Sequence, residues 1–208
     1  MELVTGTGLL VLAAMAGLFF VGRPGPNRID AWGYQLLPAD HAARWANDLV
    51  QVGSLSGVLI GIVVLVVVGL ARDWVRAVVC AVAPVGAVLI VDQVAKPLIN
   101  RHLDGVAGSY PSGTVTAVAA LAAGAVLVAP RIARMATALL AAALVVGIGA
   151  AVVALRWHYP TDALGGACVG VGAVFFLDAL AHLPWVIGTR LGWPRRNHVG
   201  ERPSAGWT

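Results

Sequence analysis

His158-Tyr159-Pro160-Thr161-Asp162 stands between two long apolar stretches, with Arg156 just upstream. An imidazole oriented by a carboxylate is a competent nucleophile or base near neutral pH. Asp162 can cap the helix that follows with one oxygen and orient His158 with the other. Nearer the N-terminus, Tyr110-Pro111-Ser112-Gly113-Thr114 opens another apolar stretch. Backbone N–H groups at a helix start are unpaired and carry positive partial charge, which attracts phosphate. Ser112 adds a hydroxyl there and Gly113 lets an anion come close, although Pro-Ser-Gly is equally an ordinary helix start. Upstream again is Lys96, the only lysine among 14 basic residues. Asp92 precedes it at the (i, i+4) spacing that pairs opposite charges on a helix. Lys96 is therefore either half of a structural ion pair or a cation waiting for an anion. Charges at the ends of apolar segments are costly and mark function by default. Together these residues suit chemistry on an anionic head group at a membrane surface.

The elements that position them follow from composition. The chain has 208 residues, 59% hydrophobic and 12% charged, with a mean hydropathy of +0.85. A soluble domain carries roughly twice that charge. Apolar stretches long enough to cross a bilayer recur throughout, which predicts an all-α, polytopic membrane helical bundle. The stretches are too long and continuous for barrel strands. Six transmembrane helices are the simplest count, at about residues 4–22, 50–71, 77–96, 113–130, 135–156 and 163–188. Residues 1–190 then form one membrane-embedded domain, and 191–208 a basic cytoplasmic tail. The first span lacks a signal-peptide n-region and cleavage site, so it is expected to be retained.

Arginines set the expected orientation. Arg72, Arg76, Arg131, Arg134 and the tail's Arg190, Arg195, Arg196 and Arg202 fall on one side, which the positive-inside rule makes cytoplasmic. Both termini are then inside, and the candidate chemistry faces outward from a multi-pass protein of the cell membrane. The net charge of +4 is accounted for by topology and gives no reason to expect nucleic acid as a partner. Cys80 and Cys168 lie within apolar segments and read as packing residues without a disulfide. In the first outer loop, Pro24-Gly25-Pro26-Asn27 breaks the chain. Asp40 to Asp48 suits a short amphipathic helix capped by Asp40, serving as an interfacial anchor or as a lid. Trp32, Tyr34, Trp45, Trp74 and Trp185 suit the interface. Small residues at Ala117 to Gly124 and Gly165 to Gly172 let helices approach closely. Asp178 and His182 read as a helix-packing hydrogen bond near the inner interface.

Lys96, Pro111-Ser112-Gly113 and His158-Tyr159-Pro160-Thr161-Asp162 resemble the three signature motifs of the type 2 phosphatidic acid phosphatase superfamily. The resemblance spans about residues 50–188. It implies a lipid phosphatase in which His158 attacks phosphorus to form a phosphohistidine and Asp162 orients it. Lys96, Ser112 and Gly113 would hold the phosphoryl oxygens, with no cofactor and no metal, and the sequence offers no obvious cluster of metal ligands. The substrate implied is a lipid phosphate presented by the bilayer.

Four positions depart from the family. Leu103 and Asp104 stand where it has Arg-Pro, and Arg101, five residues after Lys96, matches a second basic position that many members carry. Val152 stands where it has Arg, with Arg156 one turn further along. Thr114 replaces the histidine that usually follows Pro-Ser-Gly. The expected phosphate-binding set is accordingly Lys96, Arg101, Ser112, Gly113, Thr114 and Arg156. Loss of a general acid, worth roughly 10²–10⁴-fold, matters least when the leaving group is itself a phosphate. A polyprenyl diphosphate is therefore the expected substrate rather than a phosphatidate, with His102 an alternative acid. A non-catalytic lipid-phosphate-binding or scaffold relative, and a phosphotransferase using the same phosphohistidine, are the competing readings.

Overall fold

The structure, a computed structural model, describes residues 2–23, 25–37 and 43–190. Asp40 and the tail lie outside these residues, as do the side chains of Trp185 and Arg190. In chain order the helices are α1 (Glu2–Phe20), α2 (Arg28–Leu36), α3 (Ala43–Val50), α4 (Leu55–Leu70) and α5 (Trp74–Ile90). A π-helical turn, Val91–Ala95, joins α5 to the short α6 (Lys96–Ile99). A small hairpin follows, β1 (His102–Leu103) paired antiparallel with β2 (Val106–Ala107). Then come α7 (Gly113–Val128), α8 (Arg134–Ala154) and α9 (Pro160–Arg190).

Each expected span coincides with a helix, but their lengths are unequal. Four are long and apolar enough to cross a membrane alone: α1, the continuous run from α5 through α6, α8, and α9 to Leu183. A fifth qualifies only as a pair bent by 50°, Arg44–Gly53 with Leu55–Leu70. The remaining segment, α7, has 16 residues, below the roughly 20 that a bilayer core needs. Its shortness matches its place: most residues from Val115 to Val128 are buried by neighbouring helices. The outer faces of α1, α4 and α8 instead expose Val4, Leu18, Val63, Val67, Leu140 and Val146. Exposed apolar side chains on this scale fit contact with lipid.

Helix α9 is central, packing on α1, α5 and α7, while α4 lies against α5 and α7. Two glycines set the close approaches that matter for the site. A Cβ at Gly166 would lie 2.5 Å from the Ser112 carbonyl oxygen, so only glycine lets the start of α7 rest on α9. A Cβ at Gly33 would lie 2.5 Å from Pro160 Cγ, so α2 sits directly on the start of α9.

Helix α2 has no counterpart among the expected elements, although its start is legible in Asn27-Arg28-Ile29-Asp30. Asn27 and Asp30 form a reciprocal capping box, with Asp30 N–H donating to Asn27 Oδ1 (2.9 Å) and Asn27 N–H to Asp30 Oδ2 (3.0 Å). The expected amphipathic helix from Asp40 to Asp48 corresponds to α3, which begins at Ala43.

Candidate active site

One cavity collects most of the chemistry. It has a volume of about 390 Å³, and Asp92, Lys96, Gly113, Thr114 and His158 line its polar end. Its remaining wall is apolar, with Val58, Leu59 and Ile62 from α4 facing Val85, Val88 and Leu89 from α5. A polar end thus adjoins an apolar groove between α4 and α5.

The π-turn before Lys96 inserts an extra residue into the helix, a device often found at functional sites. Lys96 Nζ lies 2.7 Å from Asp92 Oδ1. Helix α7 begins directly against this pair: a Cβ at Gly113 would be 3.4 Å from Asp92 Oδ1 and 3.8 Å from Lys96 Nζ. The positive end of α7 and an ammonium therefore face one small volume that already contains a carboxylate. An arriving phosphate would meet both attraction and repulsion there.

Ser112 is fully buried and serves as the N-cap of α7, its Oγ accepting from Val115 N–H. Its own N–H donates to the Asp162 carbonyl at 3.0 Å. The fold thus uses Ser112 to join α7 to α9 behind the cavity. Thr114 lines the cavity, with its methyl group toward Gly53.

His158 Nδ1 is 2.9 Å from the Ser109 carbonyl oxygen. A carbonyl can only accept, so this bond places the proton on Nδ1 and leaves the neutral ring's lone pair on Nε2. Asp162 Oδ2 lies farther away, 3.7 Å from Nδ1. The imidazole is thus oriented first by Ser109, with Asp162 as a buried charge behind it. Asp162 Oδ2 accepts Tyr159 N–H at 3.0 Å, the back-reaching arm of a cap on α9.

The expectation that Arg101 faces the phosphate meets a different placement. Arg101 is fully buried, 2.5 Å by Nη2 from Asp30 Oδ2 and 2.5 Å by Nη1 from Asp162 Oδ1. Nη1 also donates to Thr161 Oγ1 at 2.7 Å. The guanidinium is sandwiched between the rings of Phe20 (3.8 Å) and Tyr159 (4.4 Å). The second Asp30 oxygen accepts Thr161 N–H (3.0 Å) and Oγ1–H (2.7 Å). A fixed planar fork suits this bridging of two carboxylates better than an ammonium would. The Arg101 carbonyl also accepts Gly108 N–H (2.8 Å) and Ser109 N–H (3.0 Å). Arg101 therefore holds both Asp162 and the turn whose Ser109 carbonyl orients His158.

Arg156, at a φ of 59°, likewise turns away from the cavity. Its guanidinium stacks 3.9 Å over the Tyr34 ring, and Nη2 donates to the Tyr34 carbonyl at 3.3 Å. Tyr34 in turn donates its hydroxyl to the His158 carbonyl at 3.2 Å. Burial, with Tyr159 nearby, pushes this phenol up to about 12, so it remains a donor at neutral pH. His102 sits in the hairpin and does not line the cavity. Sequence reasoning missed Asp30, Ser109 and Tyr34. Asp30 alone left a signal, as the N3 residue of the α2 capping box.

Of the expected site residues, the fold brings Lys96, Gly113, Thr114 and His158 to one cavity, with Ser112 and Asp162 behind it and Arg101 and Arg156 bracing it. Among the described residues no group of three or more His, Cys, Asp or Glu side chains converges as a metal site would require. No family model, curated protein or solved structure matches the chain.

Proposed function

We propose that this chain is an integral membrane lipid phosphatase that acts on a polyprenyl diphosphate through a phosphohistidine on His158. The observation that carries the reading is the His158–Ser109 bond, which leaves Nε2 as the nucleophilic nitrogen in a chamber shared with Lys96 and the positive end of α7. The apolar groove between α4 and α5 supports an amphiphilic substrate. It offers a lipid tail a path from the bilayer while the head group meets Lys96. The motif resemblance to the type 2 phosphatidic acid phosphatase superfamily supports the same chemistry.

In the proposed reaction, Nε2 attacks the terminal phosphorus and the bridging P–O bond breaks. The lipid monophosphate leaves with the bridging oxygen, and the Nδ1 proton stays on its bond to Ser109. Water then attacks the phosphohistidine, releasing inorganic phosphate and restoring the imidazole. Lys96 and the Gly113 and Thr114 N–H groups stabilise the charge on the transferring phosphoryl oxygens. Asp162, Arg101 and Asp30 act through His158 and Ser109 as positioning residues.

Thr114 gives a test of the leaving-group argument. Restoring the family residue, Thr114→His, should raise phosphatidate hydrolysis by roughly 10²-fold, where an alkoxide-like oxygen needs a proton, and change diphosphate hydrolysis little. Equal acceleration of both substrates would defeat that argument.

Six spans with both termini inside and the cavity outward remain the proposed topology, resting on the arginine distribution. The buried setting of α7 lets a 16-residue helix count as a span. Cysteines substituted at positions 106 and 133 test it. Labelling by an impermeant reagent is expected only from outside at 106 and only from inside at 133, and the reverse pattern would overturn it.

One observation favours a second reading, binding of lipid phosphate without turnover: Asp92 occupies Lys96 on the wall where phosphate would sit. Asp92→Asn separates the two. At an effective dielectric near 20 a contact at 2.7 Å would be worth about 6 kcal/mol, and solvent screening of two partly exposed side chains cuts this to about 1 kcal/mol. Removing the carboxylate should therefore tighten competition by inorganic phosphate several-fold. In a catalyst turnover should persist, whereas a pure binder gains affinity and still releases no phosphate.

A further inference from the structure

At the end of the bundle remote from Lys96 and His158, the turn between α4 and α5 meets the turn between α7 and α8. A cavity of about 260 Å³ lies between them, lined by Arg72, Arg76, Arg131 and Arg134, with Asp73 as the lone carboxylate of its wall. Asp73 is already committed. One oxygen caps α5, accepting from Val75 N–H (3.0 Å) and Arg76 N–H (3.4 Å), and the other lies 3.4 Å from His182 Nε2. Arg76 is matched from beneath by fully buried Asp178, 3.5 Å away, and donates to the Leu127 carbonyl at 3.1 Å. The Asp178–His182 contact expected from sequence is thus part of a larger inner cluster that also holds Asp73 and Arg76.

Arg72, Arg131 and Arg134 are different. Among the described residues, no carboxylate lies within ion-pair distance of any of the three. The positive-inside rule accounts for arginines on these turns, but not for their convergence on one concavity. A second cavity of about 310 Å³ adjoins the first, sharing Arg76, Leu127 and Arg134 and adding Glu2 and Thr5 beside apolar Val126 and Phe175. Trp74 is 66% exposed and Ile132 95% exposed beside it, which sets this end at the depth of lipid head groups. Cationic forks next to an apolar wall at that depth match one ligand chemistry.

We propose that this pocket binds the phosphate of an anionic phospholipid from the leaflet opposite the candidate active site. Arg131 and Arg134 grip the phosphate oxygens, Arg72 closes the rim, and an acyl chain lies along Val126 and Phe175. The site is independent of the reaction proposed above.

The test uses the full-length protein and a short-chain phosphatidylglycerol, with phosphatidylcholine of equal chain length and inorganic phosphate as comparison probes. Native protein should bind phosphatidylglycerol saturably and at least about tenfold more tightly than either comparison probe. Each arginine near an anionic surface is worth about fivefold, so Arg131→Gln with Arg134→Gln should weaken binding about 25-fold. Arg23→Gln, at the other end of the bundle, should leave it unchanged. Because removing two arginines can disturb insertion, the head-group preference of the native protein stands as a separate readout. Equal binding of the two lipids, or undiminished phosphatidylglycerol binding by the folded double variant, would overturn the proposal. Inorganic phosphate binding as tightly as the lipid would make the ligand a free anion and sink the lipid assignment.

Discussion

Purified His158→Ala protein should release phosphate from a polyprenyl diphosphate at least roughly 10⁴-fold more slowly than the native chain, the scale on which loss of a covalent nucleophile is felt. Folding and insertion should be preserved. The side chain is mostly buried, and among the described residues its one hydrogen bond is to the Ser109 carbonyl. Alanine leaves that acceptor beside a polar chamber that water can enter. A labelled diphosphate quenched in alkali should trap phosphohistidine on native protein and none on the variant. Near-native release by folded His158→Ala would remove the nucleophile assignment at once.

Arg101→Met should destabilise the protein by about 3–5 kcal/mol, because it leaves the buried carboxylates of Asp30 and Asp162 without their cation. Loss of the guanidinium also removes the contacts with the Phe20 and Tyr159 rings. A thermal or denaturant transition in detergent measures the fall. The triple change Arg101→Met, Asp30→Asn and Asp162→Asn should recover much of it while remaining inactive, since the charge imbalance is relieved but His158 loses its setting. A phosphate-contacting arginine would behave oppositely, losing activity with stability intact. An unchanged transition in Arg101→Met would therefore return Arg101 to the cavity and refute the positioning role.

The contrast between these two residues marks where sequence reasoning reached its limit. The helical segments were legible because long apolar runs leave the backbone few options in lipid, and their ends fall within a few residues of the expected spans. Lys96, Gly113, Thr114 and His158 were legible as a group because each stands at the end of such a run, and the ends of neighbouring helices meet. Arg101 was not. Its register after Lys96 suggested the phosphate, but its environment is decided by Asp30, on a helix whose position no periodicity announces. Arg156 was misplaced for a related reason: one-turn arithmetic along α8 assumes a helix, whereas the chain leaves the helix at Leu155 and Arg156 takes a left-handed φ of 59°. Ser109 contributes only its carbonyl, a group every residue carries, so no side-chain pattern could single it out. The bend at Gly53-Ser54 before α4 and the shortness of α7 escaped the sequence reading, because hydropathy alone treats both segments as ordinary spans.

Whether the chain is a phosphohistidine lipid phosphatase is decided by phosphate release from the purified native chain, without added metal, on polyprenyl diphosphate, phosphatidate and phosphatidylglycerol phosphate side by side. All three should be hydrolysed, the polyprenyl diphosphate fastest, and release should be lost in His158→Ala. Release from none of them by folded protein that still binds the diphosphate would contradict the assignment.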